Sequence, residues 1–358
     1  DDQFMNPLKD KFNFNKGYSL FHVKRYSAAK PYLEKVKNTR QYESDAHYYL
    51  GHIAYQMDDY INAESEFSQL DNKFSSKNDL DYFQVDMNFK LGRFQQAIDL
   101  GNKLLKKSNK VYESDLSKII GESHFNLKNY KESLPFLVAY KGIKDKWTNE
   151  DFYQLGYAYY SGKKYDSAID QFNKIINQSN SLSQNAFYHL GDCYLKEEKK
   201  IEALSAFKKA SEMNFDKNIK EDALLQYAKL GFEIGNPFES YTNVLIRFLN
   251  NYPKNKYSEK IKSLLVLSYT NGGDYDSAIK ILESANPFKD EVTLQKVLYL
   301  KALELYRNGL YIDAQTFLSN SVKLDKNPIV TARSLLLNGQ SQFETNSYGA
   351  AKNSYDKY

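Results

Sequence analysis

Three segments of the sequence carry one pattern: LGHIAYQMDDYINAESEF (residues 50–67), LGYAYYSGKKYDSAIDQF (residues 155–172) and LGDCYLKEEKKIEALSAF (residues 190–207). Each opens with Leu-Gly, has apolar residues three and four apart, and crosses a short polar turn before a small residue and a Phe. Apolar residues at that spacing indicate amphipathic helices. The polar turn between two such stretches predicts a unit of two helices joined by a tight turn.

The same unit repeats along the whole chain of 358 residues. The residue that closes each turn, the marker residue, recurs about every 36 residues, which is the period of a two-helix repeat. The marker is degenerate at Lys200 and displaced at Phe238, and it is aromatic at Tyr26, Tyr60, Phe94, Tyr130, Tyr165, Tyr275, Tyr311 and Tyr348. We therefore expect about ten helix pairs stacked in series.

Small residues mark the place where the two helices of a unit should cross. Ala or Ser stands three positions after the marker in nearly every copy, as at Ala63 and Ala168. Gly stands nine positions before the marker in several copies, as at Gly51 and Gly156. Because Gly costs about 1 kcal/mol in a helix interior relative to Ala, close approach of the second helix must compensate at these positions.

These segments resemble tetratricopeptide repeats, whose pattern is Leu-Gly, a short turn, Tyr-x-x-Ala and Phe. The resemblance covers essentially the whole chain and implies an all-α fold, a right-handed superhelical solenoid of about ten helix–turn–helix repeats. The copy that contains Pro237 and Pro253 fits only with a slip. We therefore expect an N-terminal block over residues 1–220, an irregular junction over residues 221–258, and a C-terminal block over residues 259–358 whose last repeat is truncated.

The composition narrows the classes of function. Lys and Arg total 49 against 45 Asp and Glu, and a net charge of only +4 argues against a surface dedicated to nucleic acid or anionic membrane. No apolar run approaches the roughly 18 residues of a membrane span. The single cysteine, Cys193, excludes an internal disulfide and a cysteine-based zinc site. Because the chain begins at Asp1 and stops at Tyr358 inside the repeating pattern, we expect it to be a piece of a longer protein.

The resemblance also implies where a partner would bind. In arrays of this family the first helices line the concave surface, so side chains near the Gly of each copy should face a groove. These positions combine tyrosine with histidine, glutamine and acids, at Tyr48, Tyr49, His52, Tyr82, Asp86, Tyr153, Gln154, Tyr157, Tyr188, His189 and Asp192. Rigid amphipathic rings suit an extended or helical peptide. The alternative is that the tyrosines only pack between adjacent first helices.

More specific chemistries fit the sequence poorly. No three successive copies supply the Lys, Asn and Arg set with which some family members clamp the carboxylate tail of chaperones. His189 and Cys193 share a helical face, but nothing supplies an oxyanion hole for a thiol nucleophile. His47 and His52 have the wrong spacing for a zinc pair on one helical face. No nucleotide fingerprint occurs either, so we expect no catalytic residue, no metal and no cofactor.

A second resemblance concerns RFLNNYPKNKYSEKIKSLLVLSYTNGGDYDSAIKILE (residues 247–283). It is similar to the Phe-x-x-x-Tyr-Pro linker and following repeat of bacterial cell-envelope proteins, namely the Tol-Pal-associated cell division coordinator and outer-membrane assembly lipoproteins, but it has Val266 where those proteins usually have Gly. The richness in Lys, Asn, Tyr and Ile suits Bacteroidetes, whose envelopes carry TonB-associated proteins of this type. The resemblance implies a periplasmic adaptor in an outer-membrane, TonB, Tol or secretion complex.

These observations predict a non-enzymatic scaffold that binds a protein or peptide segment in its N-terminal groove, with no nucleic acid partner and no membrane insertion of this segment. Two other interpretations stay open. The chain could be a cytoplasmic sensor that holds a signalling peptide, or the regulatory domain of a larger enzyme or signal transducer.

Overall fold

The computed structural model describes residues 2–70, 78–107, 112–143, 145–284 and 290–358. Over those ranges the regular structure consists of twenty α-helices and one isolated β-bridge. The helices group into two compact units, Asp1–Gln178 and Ser179–Tyr358. The predicted all-α class is confirmed, and each unit is a solenoid of helix pairs.

The helices alternate as first and second members of successive pairs. In the first unit they are α1 (Asp2–His22), α2 (Tyr26–Glu34), α3 (Glu43–Gln56), α4 (Tyr60–Ser68), α5 (Asn78–Lys90), α6 (Phe94–Lys106), α7 (Glu113–Asn126), α8 (Tyr130–Ala139), α9 (Asn149–Ser161) and α10 (Tyr165–Phe172). In the second unit they are α11 (Ser181–Lys196), α12 (Lys200–Glu212), α13 (Lys217–Ile234), α14 (Tyr241–Asn251), α15 (Ser258–Asn271), α16 (Tyr275–Glu283), α17 (Glu291–Arg307), α18 (Tyr311–Leu324), α19 (Pro328–Glu344) and α20 (Tyr348–Lys357).

Packing in each unit runs from one helix to the next along the chain. A first helix packs on the second helix of its own pair, and that second helix packs on the first helix of the following pair. First helices of neighbouring pairs also touch, as α5 touches α7 and α17 touches α19. One pair alone buries too little apolar surface, and stacking gives every pair a second buried face.

The turn inside each pair has a constant geometry. The predicted marker begins the second helix of nearly every pair, as Tyr60 begins α4 and Tyr165 begins α10. Two residues before the marker the backbone is left-handed, with φ of 60° at Asp58 and 58° at Lys163. This conformation reverses the chain within a few residues, and so the second helix folds back onto the first.

The predicted close approach at the Gly positions is confirmed. A methyl group placed on Gly51 would lie 2.5 Å from Cε1 of Phe67, and one on Gly156 would lie 2.9 Å from Cε1 of Phe172. Both distances are shorter than the non-bonded contacts that carbon atoms make in folded proteins. The phenyl ring of the second helix therefore occupies the space that a side chain on the first helix would take, which fixes how closely the two helices pack.

The third pair reverses this arrangement. Val85 occupies the place of the Gly on α5, and the facing position on α6 is Gly101 rather than an aromatic residue. A methyl group on Gly101 would lie 3.4 Å from Cγ1 of Val85 and 2.8 Å from Cγ1 of Ile120 on α7. The small and large residues have changed sides, so the third pair keeps a close crossing without the usual motif.

The seventh pair departs from the pattern, and the marker predicted there is wrong. α14 begins at Tyr241, whereas Phe238 is exposed in the preceding loop. Gly235 ends α13 with a left-handed φ of 82°. The Asn236 side chain then accepts hydrogen bonds from the backbone N–H of Phe238 at 3.0 Å and of Glu239 at 3.4 Å. The local hydrogen bonds lengthen the turn and shift the start of the second helix.

This irregular pair lies inside the second unit, and the boundary between the compact units falls at Gln178. The division into residues 1–220, 221–258 and 259–358 therefore stays a prediction about the regularity of the repeats. In the described residues, no helix combines the length and the apolarity that crossing a bilayer would require.

Candidate functional site

A cavity of about 620 Å³ opens in the first unit between α5, α7 and the loop that follows α8. We call it the Asp86 cavity. Its lining side chains include two of the predicted groove residues and four others that matter for its chemistry, namely Tyr82, Asp86, Lys118, Glu122, Tyr140 and Ile143. Asp86 and Glu122 lie at equivalent positions of adjacent first helices, which places both carboxylates on the same side of the stack.

Lys118 is held in an ion pair at one side of this cavity. Its Nζ lies 2.7 Å from Oδ1 of Asp151 and 3.9 Å from Oε1 of Glu122, and it sits 4.9 Å from the centre of the Tyr140 ring. Burial disfavours the charged form, but the bond to Asp151 and the charge of Glu122 outweigh it, and the pKa of Lys118 is raised. The lysine therefore stays charged, and Asp151 is its main partner.

Asp151 is fixed by the start of α9. Its carboxylate accepts hydrogen bonds from the backbone N–H of Thr148 at 2.7 Å and from the Thr148 hydroxyl at 2.8 Å. Thr148 Oγ1 in turn accepts from the backbone N–H of Asp151, which completes a capping box. A side chain tied in this way positions Lys118 rigidly beside the cavity.

The cost of burying the charge of Glu122 is only partly offset by its neighbours. It is largely buried, Lys118 lies at 3.9 Å, and a hydrogen bond links it to the Gln154 side chain. Burial raises the pKa of Glu122, and the lowering effects of Lys118 and Gln154 do not cancel this rise. The Oε1 atom of Gln154 is itself buried, and no hydrogen bond from the described residues reaches it.

Asp86 is the most buried acid that lines the cavity, with only 7% of its surface exposed. One oxygen, Oδ2, accepts a hydrogen bond of 2.5 Å from the Tyr55 hydroxyl. Burial, together with this bond and the charge of Asp86, raises the pKa of Tyr55, so the phenol remains a donor. Over the ranges that the structure describes, no second hydrogen bond reaches the carboxylate of Asp86.

The remaining walls are aromatic rings and a loop. Tyr82 stacks on Tyr112 with ring centres 4.6 Å apart, and burial raises its pKa. Beyond α8, Ile143 and Lys146 exchange two backbone hydrogen bonds of 3.0 Å and form the β-bridge. This bridge holds Ile143 at the rim with 62% of its surface exposed.

Tyr48, Tyr49 and His52 lie on α3 and form an aromatic cluster with neighbouring helices. The rings of Tyr48 and His52 have centres 4.4 Å apart, and His52 lies edge-on to Phe83 at 4.7 Å. Tyr49 packs at 5.3 Å from Tyr18 of α1, and burial raises its pKa to about 12. All three predicted residues are half-buried, so they both pack between first helices and present an edge to the surface.

Tyr153, Gln154 and Tyr157 lie on α9 and are half-buried as well. The Tyr153 ring packs at 5.9 Å from Phe172, and burial raises its pKa. The Tyr157 ring lies 4.9 Å from Tyr130 of α8. Through Gln154 this group adjoins Glu122, and Tyr153 contributes to the crossing of its own pair.

Tyr188, His189 and Asp192 belong to the second unit. The Tyr188 hydroxyl donates a short hydrogen bond to Asp222 of α13. Burial lowers the pKa of His189 to about 4. Burial, assisted by the negative charge of Asp192, raises the pKa of the neighbouring Cys193 thiol to about 12. At neutral pH the thiol is protonated and the imidazole is neutral, which is the opposite of an activated cysteine–histidine pair.

Of the predicted residues, Tyr82 and Asp86 line the Asp86 cavity. Sequence reasoning missed the Tyr55–Asp86 hydrogen bond, the partnership of Lys118 with Asp151, and the wall made by the loop after α8. The second of these had a readable signal, because Thr148 followed by Asp151 is the pattern of a capping box before an apolar run. The other two depend on packing between pairs.

A family model described as anaphase-promoting complex, cyclosome, subunit 3 matches residues 136–210, about a fifth of the chain. No curated protein matches the sequence. Among solved structures, YrrB, described as a TPR protein with an unusual peptide-binding site, is 20% identical over 53% of this chain and 96% of its own, with a TM-score of 0.44.

Two bacterial repeat proteins are also similar. A tetratricopeptide repeat protein from Parabacteroides merdae is 16% identical over 73% of this chain and 98% of its own, with a TM-score of 0.38. The C-terminal part of a TPR repeat-containing protein from Cytophaga hutchinsonii is 16% identical over 75% of this chain and 99% of its own, with a TM-score of 0.42.

The fold follows from the chain itself, because the helix pairs, the left-handed turns and the Gly–Phe crossings recur with the period of a tetratricopeptide repeat. The local family match falls on the same pattern. The chain folds as a tetratricopeptide-like solenoid of helix pairs.

Proposed function

We propose that this protein is a non-enzymatic scaffold that binds an extended segment of a partner protein across the first helices of its first unit, with the Asp86 cavity as the central subsite. The observation that carries the proposal is the lining of this cavity, which combines tyrosine rings with carboxylates from two adjacent first helices. Tyrosine rings can cover the apolar parts of a bound segment's side chains, and the carboxylates can accept hydrogen bonds from its N–H groups.

The cellular role extends this proposal. The similarity of residues 247–283 to envelope proteins supports a place in a bacterial outer-membrane, TonB, Tol or secretion assembly, and hence in the periplasm. A cytoplasmic peptide sensor, or a regulatory domain of a larger enzyme or transducer, would use the same surface. Reading the upstream gene sequence for an export signal and fractionating cells that express the full-length protein separates these roles.

Binding of a segment is tested with a displayed library of random dodecapeptides selected on the purified chain. We expect enriched peptides whose affinity falls at least tenfold in Ile143→Lys, because that change replaces an apolar side chain on the exposed rim of the cavity with a positive charge and leaves the core undisturbed. The matched control is Ile312→Lys, at an exposed position in the second unit. Enriched peptides that bind Ile143→Lys as tightly as the unaltered chain, or a selection that enriches no peptide, would refute the proposal.

A further inference from the structure

We infer that the bound segment places a cationic side chain, arginine in preference to lysine, in the Asp86 cavity, between the carboxylates of Asp86 and Glu122. This inference rests on the proposed binding of a partner segment and adds the chemistry that the partner must carry. It follows from the charges in the cavity and from which of them already have partners.

The positive charge of Lys118 is already engaged. Its shortest contact is the 2.7 Å bond to Asp151, whose side chain is only 3% exposed and is tied to Thr148. An anionic ligand would compete with Asp151 for the charge of Lys118, and the carboxylates of Asp86 and Glu122 that line the cavity would repel it. The cavity is therefore poorly suited to a carboxylate or phosphate group.

The two carboxylates, by contrast, lack a full set of partners. Asp86 lines the cavity, and only 7% of its surface is exposed. Within the described residues it receives one hydrogen bond, from the Tyr55 hydroxyl. Glu122 lies 3.9 Å from Lys118, beyond hydrogen-bond distance, and its hydrogen bond is to the neutral side chain of Gln154. Buried carboxylates of this kind are stabilised by a cation that donates several hydrogen bonds.

The cations at the rim do not fill this need. Lys90 and Lys141 line the cavity but are exposed, and no ion pair joins either of them to Asp86 or Glu122 in the part of the chain that the structure describes. Lys90 has only the weakest of the influences that lower the pKa of Glu122. A ligand cation would therefore meet an unmatched negative centre.

Arginine fits this centre better than lysine does. A guanidinium group presents five N–H donors in a plane and can bond to two carboxylates at once, whereas an ammonium group is a more strongly hydrated point charge. Tyr82 also lines the cavity, and a tyrosine ring attracts a guanidinium group through cation–π contact. The stem of the arginine would lie against Ile119 and Tyr82.

The experiment uses the whole chain and four fluorescein-labelled nonapeptide mixtures with random flanks and a fixed central residue. The central residue is arginine, lysine, glutamate or citrulline, the neutral analogue of arginine. Fluorescence anisotropy should show the arginine mixture binding at least tenfold tighter than the citrulline mixture, lysine between them, and glutamate weakest.

The variants locate the effect. Asp86→Asn removes the charge but still offers an oxygen to Tyr55, so it should erase most of the arginine preference, and Glu122→Gln should reduce it. Asp170→Asn, an exposed acid on α10 of the same unit, should leave it unchanged. If Asp86→Asn does not fold, the arginine–citrulline comparison on the unaltered chain and Glu122→Gln decide the matter.

The outcomes separate this inference from the function on which it rests. Equal binding of the arginine and citrulline mixtures would overturn the cationic subsite while leaving a peptide-binding scaffold intact. An arginine preference that persists unchanged in both carboxylate variants would place the cation elsewhere and also overturn the inference. Failure of all four mixtures to bind would count against the proposed function itself.

Discussion

Phe172 lies directly over Gly156, so close that a methyl group on the glycine would come within 2.9 Å of the phenyl ring. This contact joins the first helix of a pair to the second and is repeated, with different large residues, along the chain. One small residue on the first helix and one large residue on the second therefore set the distance between the two helices of a pair. The stacking of pairs, and hence the Asp86 cavity, depends on that distance.

Gly156→Leu should therefore destabilise the first unit by about 3 kcal/mol, because the added side chain cannot share the space with Phe172. Thermal unfolding by circular dichroism and hydrogen exchange across α9 and α10 measure the effect. The control is Gly349→Leu, since a side chain there meets nothing within 4 Å. A stable Gly156→Leu variant with unchanged exchange would contradict the proposed role of this crossing.

Lys118→Met should lower the free energy of unfolding by about 1–3 kcal/mol, a value discounted because the lysine is partly exposed. The change leaves the carboxylate of Asp151 buried without its cation. Asp151→Asn keeps the oxygen that Thr148 needs, so the double variant should recover part of the loss. Chemical denaturation of the four proteins in this cycle gives the coupling energy, and additive losses would show that the ion pair contributes nothing.

The second unit should lose stability as the pH falls from 6.5 towards 4. Burial lowers the pKa of His189 from 6.5 to about 4, so in this window the unfolded chain binds a proton that the folded chain does not. The loss should approach 1.4 kcal/mol per pH unit, roughly. His189→Gln should flatten the fall in melting temperature, whereas His22→Gln, at an exposed position, should not. Identical pH profiles for both variants would refute the role of His189.

Glu239 should contribute stability that acid removes. Burial alone would raise its pKa, but hydrogen bonds from Arg247 at 2.9 Å and Tyr227 at 3.0 Å outweigh it and hold the pKa below 4.5. Its contribution is therefore present above pH 4.5 and is lost as the pH falls through the lowered pKa.

Glu239→Gln tests this directly. At pH 7 the variant should melt at a lower temperature than the unaltered chain, and the difference should shrink between about pH 5 and pH 3. Glu233→Gln is the matched control, because its ion pair with Lys200 is exposed and worth little. A difference that stays constant with pH would assign the effect of the variant to packing rather than to charge.

The helix pairs could be predicted because their signals are local. Apolar spacing, a short polar turn and a small residue near each crossing all occur within one repeat, and so Tyr60 and Tyr165 correctly mark the starts of their helices. Phe238 was wrong as a marker because the Asn236 side chain caps a longer turn. The repeat period of the sequence carries no signal of such a hydrogen bond. Val85 stands where other copies have Gly, and the small residue that compensates for it, Gly101, lies on the facing helix.

The candidate site could be predicted only in part. Repeat position placed Tyr82 and Asp86 on a surface of first helices, and both do line one cavity. Repeat position could not tell which groups on that surface already have partners. Lys118 has a close acidic partner in Asp151, whereas Asp86 and Glu122 form hydrogen bonds to the neutral side chains of Tyr55 and Gln154, and these three partners come from neighbouring pairs.

The sequence by itself determined the all-helical class, the repeat period and the helix crossings, because these follow from contacts between residues close along the chain. Only the tertiary structure decided where the open cavity lies and what charge remains unbalanced in it. The reason is that burial and pairing of charged groups arise where separate pairs meet, and the desolvation that makes a carboxylate seek a partner cannot be read from its position in a repeat.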